Sequence, residues 1–324
     1  MTCFRDSRKF RSIIFTIIEE AMERRTFLGC LALALADPAF ASPTGNFHTI
    51  YGDVKLRDSF YLFLQNIFHL YPEARFHQLI IDAVAHYSSD EQIYQALLRE
   101  LPGIKTLGAE LTYALPALQL QKRVLSKQAQ VFLGPGTEVQ GYLEIGSLGR
   151  YVRQLSDRLR VSGPIWVVND VAPGSGPVDI LERGQWSEVG RFLPLGNYDP
   201  LDDAIADESL DLVSNFIGFH HCPDDRLQGF LQSIHRVLRP GGRLLVREHD
   251  VASPTMDTFV ALAHDVFNAG VRLSWTDNAA EVRGFRSVAA WTRIIEAVGF
   301  VRNDTLLMQR HDPTDNMLLD FRRG

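Results

Sequence analysis

The chain has 324 residues, 46% hydrophobic and 22% charged, with a formal net charge of −6. That composition excludes a disordered or fibrous chain and leaves ample length for a large core in one or two domains. The acidic balance argues against broad nucleic-acid or membrane-surface contact, which needs a basic face. Cys3, Cys30 and Cys222 are too few and too scattered for a disulfide framework or a zinc-thiolate site.

In chain order, residues 1–41 read as a leader. Arg24-Arg25 is followed by Phe27-Leu28, a short apolar stretch and Ala39-Phe40-Ala41. This pattern resembles a bacterial twin-arginine signal peptide, with Met22 as its start and a small-residue cleavage site before Ser42. The apolar stretch is too short to cross a bilayer, so no transmembrane span is expected. The signal implies export to the periplasm. The competing reading is a helical arm on a cytoplasmic protein.

Residues 42–135 read as a helical segment. Phe60, Phe63, Leu64, Ile67 and Phe68 recur at helical spacing. Ser89-Asp-Glu-Gln92 reads as a capping box, followed by Ile93, Leu97 and Leu98 on one face. Leu115 to Phe132 continues as a further helix, and Gly134-Pro135-Gly136 marks the boundary. The aromatic residues Phe60, Tyr61, Phe63, Phe68, Tyr71 and Phe76 fit a substrate-selecting cap. They fit equally a layer covering apolar surface or a homodimer interface.

Residues 136–324 carry four apolar strands, each ending in polar residues. Gly141-Tyr-Leu143 runs into Glu144-Ile-Gly-Ser-Leu-Gly149 and a polar helix. Ile165-Trp-Val-Val-Asn-Asp170, Leu210 to His221, and Leu238-Arg-Pro-Gly-Gly through Asp250 follow. Strand, glycine turn and helix in this order predict an open α/β sheet with a ligand crevice at the strands' C-terminal ends. Met256 to Asn268 has the spacing of an amphipathic helix, with Asp257, His264 and Asp265 as its polar members. Strand alternation sends Glu248 and Asp250 to one face, Arg247 and His249 to the other.

These segments resemble the class I S-adenosylmethionine-dependent methyltransferases (type 11), from about Val139 to the C-terminus. The likeness is carried by the glycine loop, by Phe216-Ile-Gly-Phe-His-His-Cys-Pro-Asp, by Leu238-Arg-Pro-Gly-Gly-Arg-Leu-Leu-Val and by Ala290 to Phe300. It implies an α/β, Rossmann-like sheet of seven strands preceded by the helical segment. It implies S-adenosylmethionine as cofactor and a small-molecule acceptor, with no nucleic-acid partner. Glu144, Gly146, Ser147 and Gly149 would lie near the methionine end of the cofactor. Asp170 would accept from the ribose hydroxyls, Asp199 would face the adenine, and Asn215 and Phe216 would lie beside it. Trp275, Asn278 and Phe285 would wall the acceptor pocket.

Methyl transfer from a sulfonium needs alignment and water exclusion, and a base only when the nucleophile arrives protonated. His249 and Glu248 are the catalytic candidates, with a rate expected to rise through the imidazole titration. His220 and His221 are read as packing beside the cofactor, Cys222 as a small buried residue, and no metal is expected. One departure stands out. The family's first loop usually carries three alternating glycines, whereas here it is one residue shorter, with Leu148 where a glycine is expected. That side chain narrows the approach to the backbone. The alternative function is therefore a non-catalytic ligand-binding or interaction protein on the same fold.

Overall fold

A computed structural model describes residues 45–68, 71–104, 115–216 and 218–324. The expected leader lies outside these residues. Four helices open the described chain: α1 (Asn46–Gly52), α2 (Val54–Phe63), α3 (Glu73–His86) and α4 (Asp90–Ile104). α2 runs into a π-helical turn over Leu64–Phe68. The Asp53 carboxylate caps α2 by accepting from the N–H of Lys55 and Leu56 at 2.8 and 3.0 Å. At α4, the Ser89 hydroxyl accepts from Gln92 N–H, while the Gln92 side chain reaches Ser88 rather than Ser89. The predicted apolar stripe is buried: Phe60, Phe63, Leu64 and Phe68 join Phe76, Ile80, Ile93 and Leu97 in one cluster.

α5 (Leu115–Leu133) behaves differently from the helices before it. Its Leu125 and Ala129 pack on Val139 and Tyr142 of the first strand, within the core of the sheet. The Gly134–Gly136 break thus separates chain segments, whereas the packed layers divide before α5.

The strands are β1 (Glu138–Ile145), β2 (Arg160–Asn169), β3 (Arg191–Pro194), β4 (Leu210–Asn215), β5 (Leu238–His249), β6 (Phe300–Arg302), β7 (Leu307–Met308) and β8 (Asn316–Arg323). They form one sheet in the order β3-β2-β1-β4-β5-β8-β6, with β7 also on β8. β1 to β5 pair in parallel, and β8 runs antiparallel to β5, β6 and β7. This is the strand order of the Rossmann-like methyltransferase fold.

The expectation of seven strands is corrected to eight among the described residues. β6 pairs only with Phe321, Arg322 and Arg323 of β8, leaving the first half of that strand open on this side. The chain after β6 folds back so that Leu307 and Met308 pair with Leu318 and Met317. Backbone groups that would otherwise lack partners are satisfied, which is why so short a strand forms.

Helices cover both faces. Alternation along β1 sends Leu143 and Ile145 to the face covered by α8 (Asp224–Val237) and α11 (Val288–Glu296). Tyr142 lies on the other face, with α5 and α6 (Val152–Ser156). The short α7 (Pro177–Arg183) lies between β2 and β3. α9 (Pro254–Gly270) starts at Ser253, whose hydroxyl accepts from Met256 N–H, and α10 (Trp275–Ala280) follows. α9 puts Phe259, Leu262, Ala263, Val266 and Ala269 into the helical-layer cluster. That layer therefore comes from two distant stretches of sequence.

Candidate functional site

The C-terminal ends of β1, β2 and β4 are level, since Ile145 stands opposite both Val168 and Asn215. Glu144 lies here but points into the protein, 1% exposed. Its carboxylate accepts from the Ser147 hydroxyl, from Tyr151 N–H at 3.1 Å and from the Tyr142 hydroxyl at 3.2 Å. Burial raises its carboxyl above the usual range, and these three donors oppose that shift. The acid of the glycine loop thus braces the loop from inside. Gly149 closes it at φ +82°, where a Cβ would stand 2.0 Å from Val189 Cγ2. Gly146 also has positive φ, Ser147 is buried and Leu148 is half-buried.

Asp170 follows β2 and is exposed as a residue. Its carboxyl is nonetheless raised by desolvation, with His221 pulling the other way. Asp199 lies beyond β3 and accepts from Arg226 Nη1 at 2.6 Å, so an adenine contact there would compete with that ion pair. Asn215 Oδ1 accepts from Gly218 N–H at 2.8 Å, and Phe216 is buried edge-on to Tyr151.

The densest chemistry lies beside this edge, at the ends of β4 and β5. Gly218 takes φ +109°, and a Cβ there would meet the His220 ring at 2.3 Å. Only glycine lets the chain turn so tightly against that imidazole. The turn leads into a 3₁₀ segment, Phe219–His221. Glu248, fully buried, accepts from Phe219 N–H and meets His220 Nδ1 at 2.8 Å. Burial pushes its carboxyl up to about 8.

His249, the next residue and the last of β5, joins the same ring cluster, with Nδ1 donating to Thr314 O at 2.8 Å. Burial lowers its imidazole to about 4. The expected rise of rate through an ordinary imidazole titration is therefore corrected, because this ring is already neutral near pH 7.

His264 of α9 completes the cluster. Its Nε2 stands 3.2 Å from His220 Nε2, and its ring lies 5.6 Å from His221 and 5.7 Å from His249. Phe285 packs on His220, His249 and His264 at 5.3, 6.2 and 4.8 Å. Sequence reading assigned His220 and His221 to packing and gave His264 no partner. Their convergence depends on α9 lying across the sheet edge, which spacing does not encode. The available signal was the adjacent pair His264 and Asp265 between buried apolar residues in the middle of α9.

Next to the cluster, Asp265 accepts from Arg283 Nη1, Asn278 Nδ2 and Asn46 Nδ2 at 2.8, 2.9 and 3.0 Å. Arg283 Nε donates to Glu281 at 3.0 Å. The residues expected to form one pocket wall are thus divided. Phe285 faces the histidines, Asn278 is buried in this polar network, and Trp275 packs on Tyr94 of the helical layer. Cys222 is buried in the core, its thiol pushed up to about 12.

The sheet, with acids and histidines gathered at its C-terminal edge, has the Rossmann-like methyltransferase fold. Residues 192–246 match the family model described as a methyltransferase domain. No curated sequence matches the chain. Among similar solved structures is a Burkholderia thailandensis 1,6-didemethyltoxoflavin-N1-methyltransferase with bound 1,6-didemethyltoxoflavin and S-adenosylhomocysteine. It is 17% identical, with 63% of this chain and 78% of that one covered, at TM-score 0.44. An S-adenosylmethionine-dependent methyltransferase from Mesorhizobium loti is 14% identical, covering 61% and 96%, at TM-score 0.43. A TehB-like methyltransferase from Corynebacterium glutamicum is 13% identical, covering 61% and 86%, at TM-score 0.38.

Proposed function

We propose that this protein binds S-adenosylmethionine and transfers its methyl group to a small-molecule acceptor. The observation that carries the reading is Asp170, an exposed residue with a partly desolvated carboxyl, placed at the C-terminal end of β2 beside the glycine loop. In an open sheet of this strand order that is where a ribose diol is bound. The methyltransferase-domain match over residues 192–246 supports it. The residues fit the cofactor at this point: an acid at a strand end, a glycine turn, and Asn215 and Phe216 on the adjoining strand end. Asp199 would contribute while sharing its carboxylate with Arg226.

The bound cofactor would supply an activated methyl group. The chain's part is to align the acceptor and exclude water. His249 is the proposed base, because its Nδ1 is fixed by Thr314 O and its Nε2 keeps a lone pair. Glu248 acts by holding His220 and the Phe219 backbone in place. Incubation with methyl-labelled cofactor and a pool of small metabolites should move label into a small molecule. Absence of transfer, with cofactor bound, would favour the second reading.

That second reading is a non-catalytic binding protein. One feature favours it: Glu144 already accepts from Tyr142 of β1 and from Ser147 and Tyr151 N–H after it, and a half-buried Leu148 stands where the resembling family has a glycine.

The location proposed is the periplasm, on the leader pattern of residues 1–41, with the cytoplasm as alternative. Replacing Arg24 and Arg25 by Lys should hold the full-length precursor in the cytosol. Mass spectrometry of the exported native protein should begin at Ser42, and an uncleaved cytosolic native form would contradict export.

A further inference from the structure

We propose that His220, His221 and His264 form a binding site for one divalent transition-metal ion, best suited to Zn²⁺, through their three Nε2 atoms. The three residues can bring one ligand atom each within 4.8 Å of the others. Their outer nitrogens are already engaged in the pattern of histidine ligands to zinc, where the second ring nitrogen donates to a carboxylate or backbone carbonyl. His264 Nδ1 meets Val260 O at 2.9 Å, and His221 Nδ1 meets Val282 O at 3.2 Å. A carbonyl accepts only, so both rings carry their proton on Nδ1 and present an Nε2 lone pair. His220 Nδ1 meets the Glu248 carboxylate at 2.8 Å.

The diagnostic contact is between His220 Nε2 and His264 Nε2, 3.2 Å apart. A ring N–H can bridge these two nitrogens when one of them is protonated, and a cation can take the same place when both present lone pairs. Tetrahedral coordination at the usual zinc–nitrogen distance places two imidazole nitrogens roughly 3.3 Å apart. The His220–His264 distance is close to that spacing, and the third nitrogen lies within 4.8 Å of both.

The rings are held on three separate supports: the tight Gly218 turn, helix α9 and the Phe285 face. Three protein ligands leave a coordination position open for water or a donor atom of a bound molecule. The site stands at the ligand edge of the sheet, after β4 and beside the end of β5. It does not depend on the methyltransferase reading.

The test uses tag-free full-length protein, stripped with a chelator and re-equilibrated with Zn²⁺. Metal analysis after dialysis should find one zinc per chain. His264→Gln and His221→Gln should each weaken retention by at least about tenfold. His235→Gln, a histidine outside the cluster, should leave it unchanged. Circular dichroism reports whether each variant folds. X-ray absorption of the zinc-loaded wild type needs no variant and should show three imidazole nitrogens in the first shell. No retained zinc, retention indifferent to both cluster variants, or a first shell without multiple imidazoles would overturn the proposal. Binding of S-adenosylhomocysteine is measured separately, so a failure here leaves the proposed function standing or falling by itself.

Discussion

His249 shows how much a residue's role depends on what its neighbours leave open. Thr314 O fixes its Nδ1 proton, and burial lowers its imidazole to about 4, so near pH 7 it is neutral with Nε2 free. If it takes a proton from the acceptor, His249→Asn should slow methyl transfer by about 10²–10⁴-fold with cofactor affinity unchanged. A loss of rate, affinity and melting temperature together would make it structural. Glu144 went the other way. An acid in a glycine loop looks exposed to a ligand in sequence, yet Tyr142, Ser147 and Tyr151 enclose it. Two of those donors come from residues whose side-chain direction follows from the fold, so the sequence had no way to show it.

At the scale of elements, α9 joins the two halves of the chain. One side packs into the helical layer, and Asp265 binds Arg283, Asn278 and Asn46. Removing one partner of a buried ion pair leaves the other uncompensated. Asp265→Ala should therefore cost about 3–5 kcal/mol in denaturant unfolding. A loss no larger than that of an exposed Asp58→Ala control would mean water already screens the pair.

A pH effect belongs to the same layer. His77 packs at a tilt against Tyr51 and Tyr61, and burial, with Arg57, lowers its imidazole below 6.5. The unfolded chain then binds the proton more readily than the folded one. The stability His77 contributes is present above about pH 6.5 and is lost as pH falls through its folded value. The fall in melting temperature between pH 7 and pH 5 should be smaller in His77→Gln than in the wild type. Equal slopes would place the acid sensitivity elsewhere. Helix positions here were legible from periodicity and caps, because Phe60, Leu64 and Phe68 repeat at helical spacing and Ser89 caps α4. The attachment of α5 to the sheet was not, because an apolar face does not name the surface that covers it.

For the molecule as a whole, strand order and ligand edge were legible because parallel strands are continuous apolar runs ending in polar residues. β7 was not: two residues with no pattern pair only because β8 outruns β6. The histidine cluster was equally hidden, since His220 and His264 lie 44 residues apart and meet only when α9 crosses the edge.

The central claim is that this edge holds S-adenosylmethionine with Asp170 on the ribose. Its most direct test is calorimetric titration of S-adenosylhomocysteine into wild type and Asp170→Ala. Charge-assisted hydrogen bonds are worth about 1.5–3 kcal/mol. The wild type should bind one ligand per chain, and the variant should bind at least about tenfold more weakly while melting at the same temperature. No binding by the wild type, or equal affinity in the two proteins, would contradict the account.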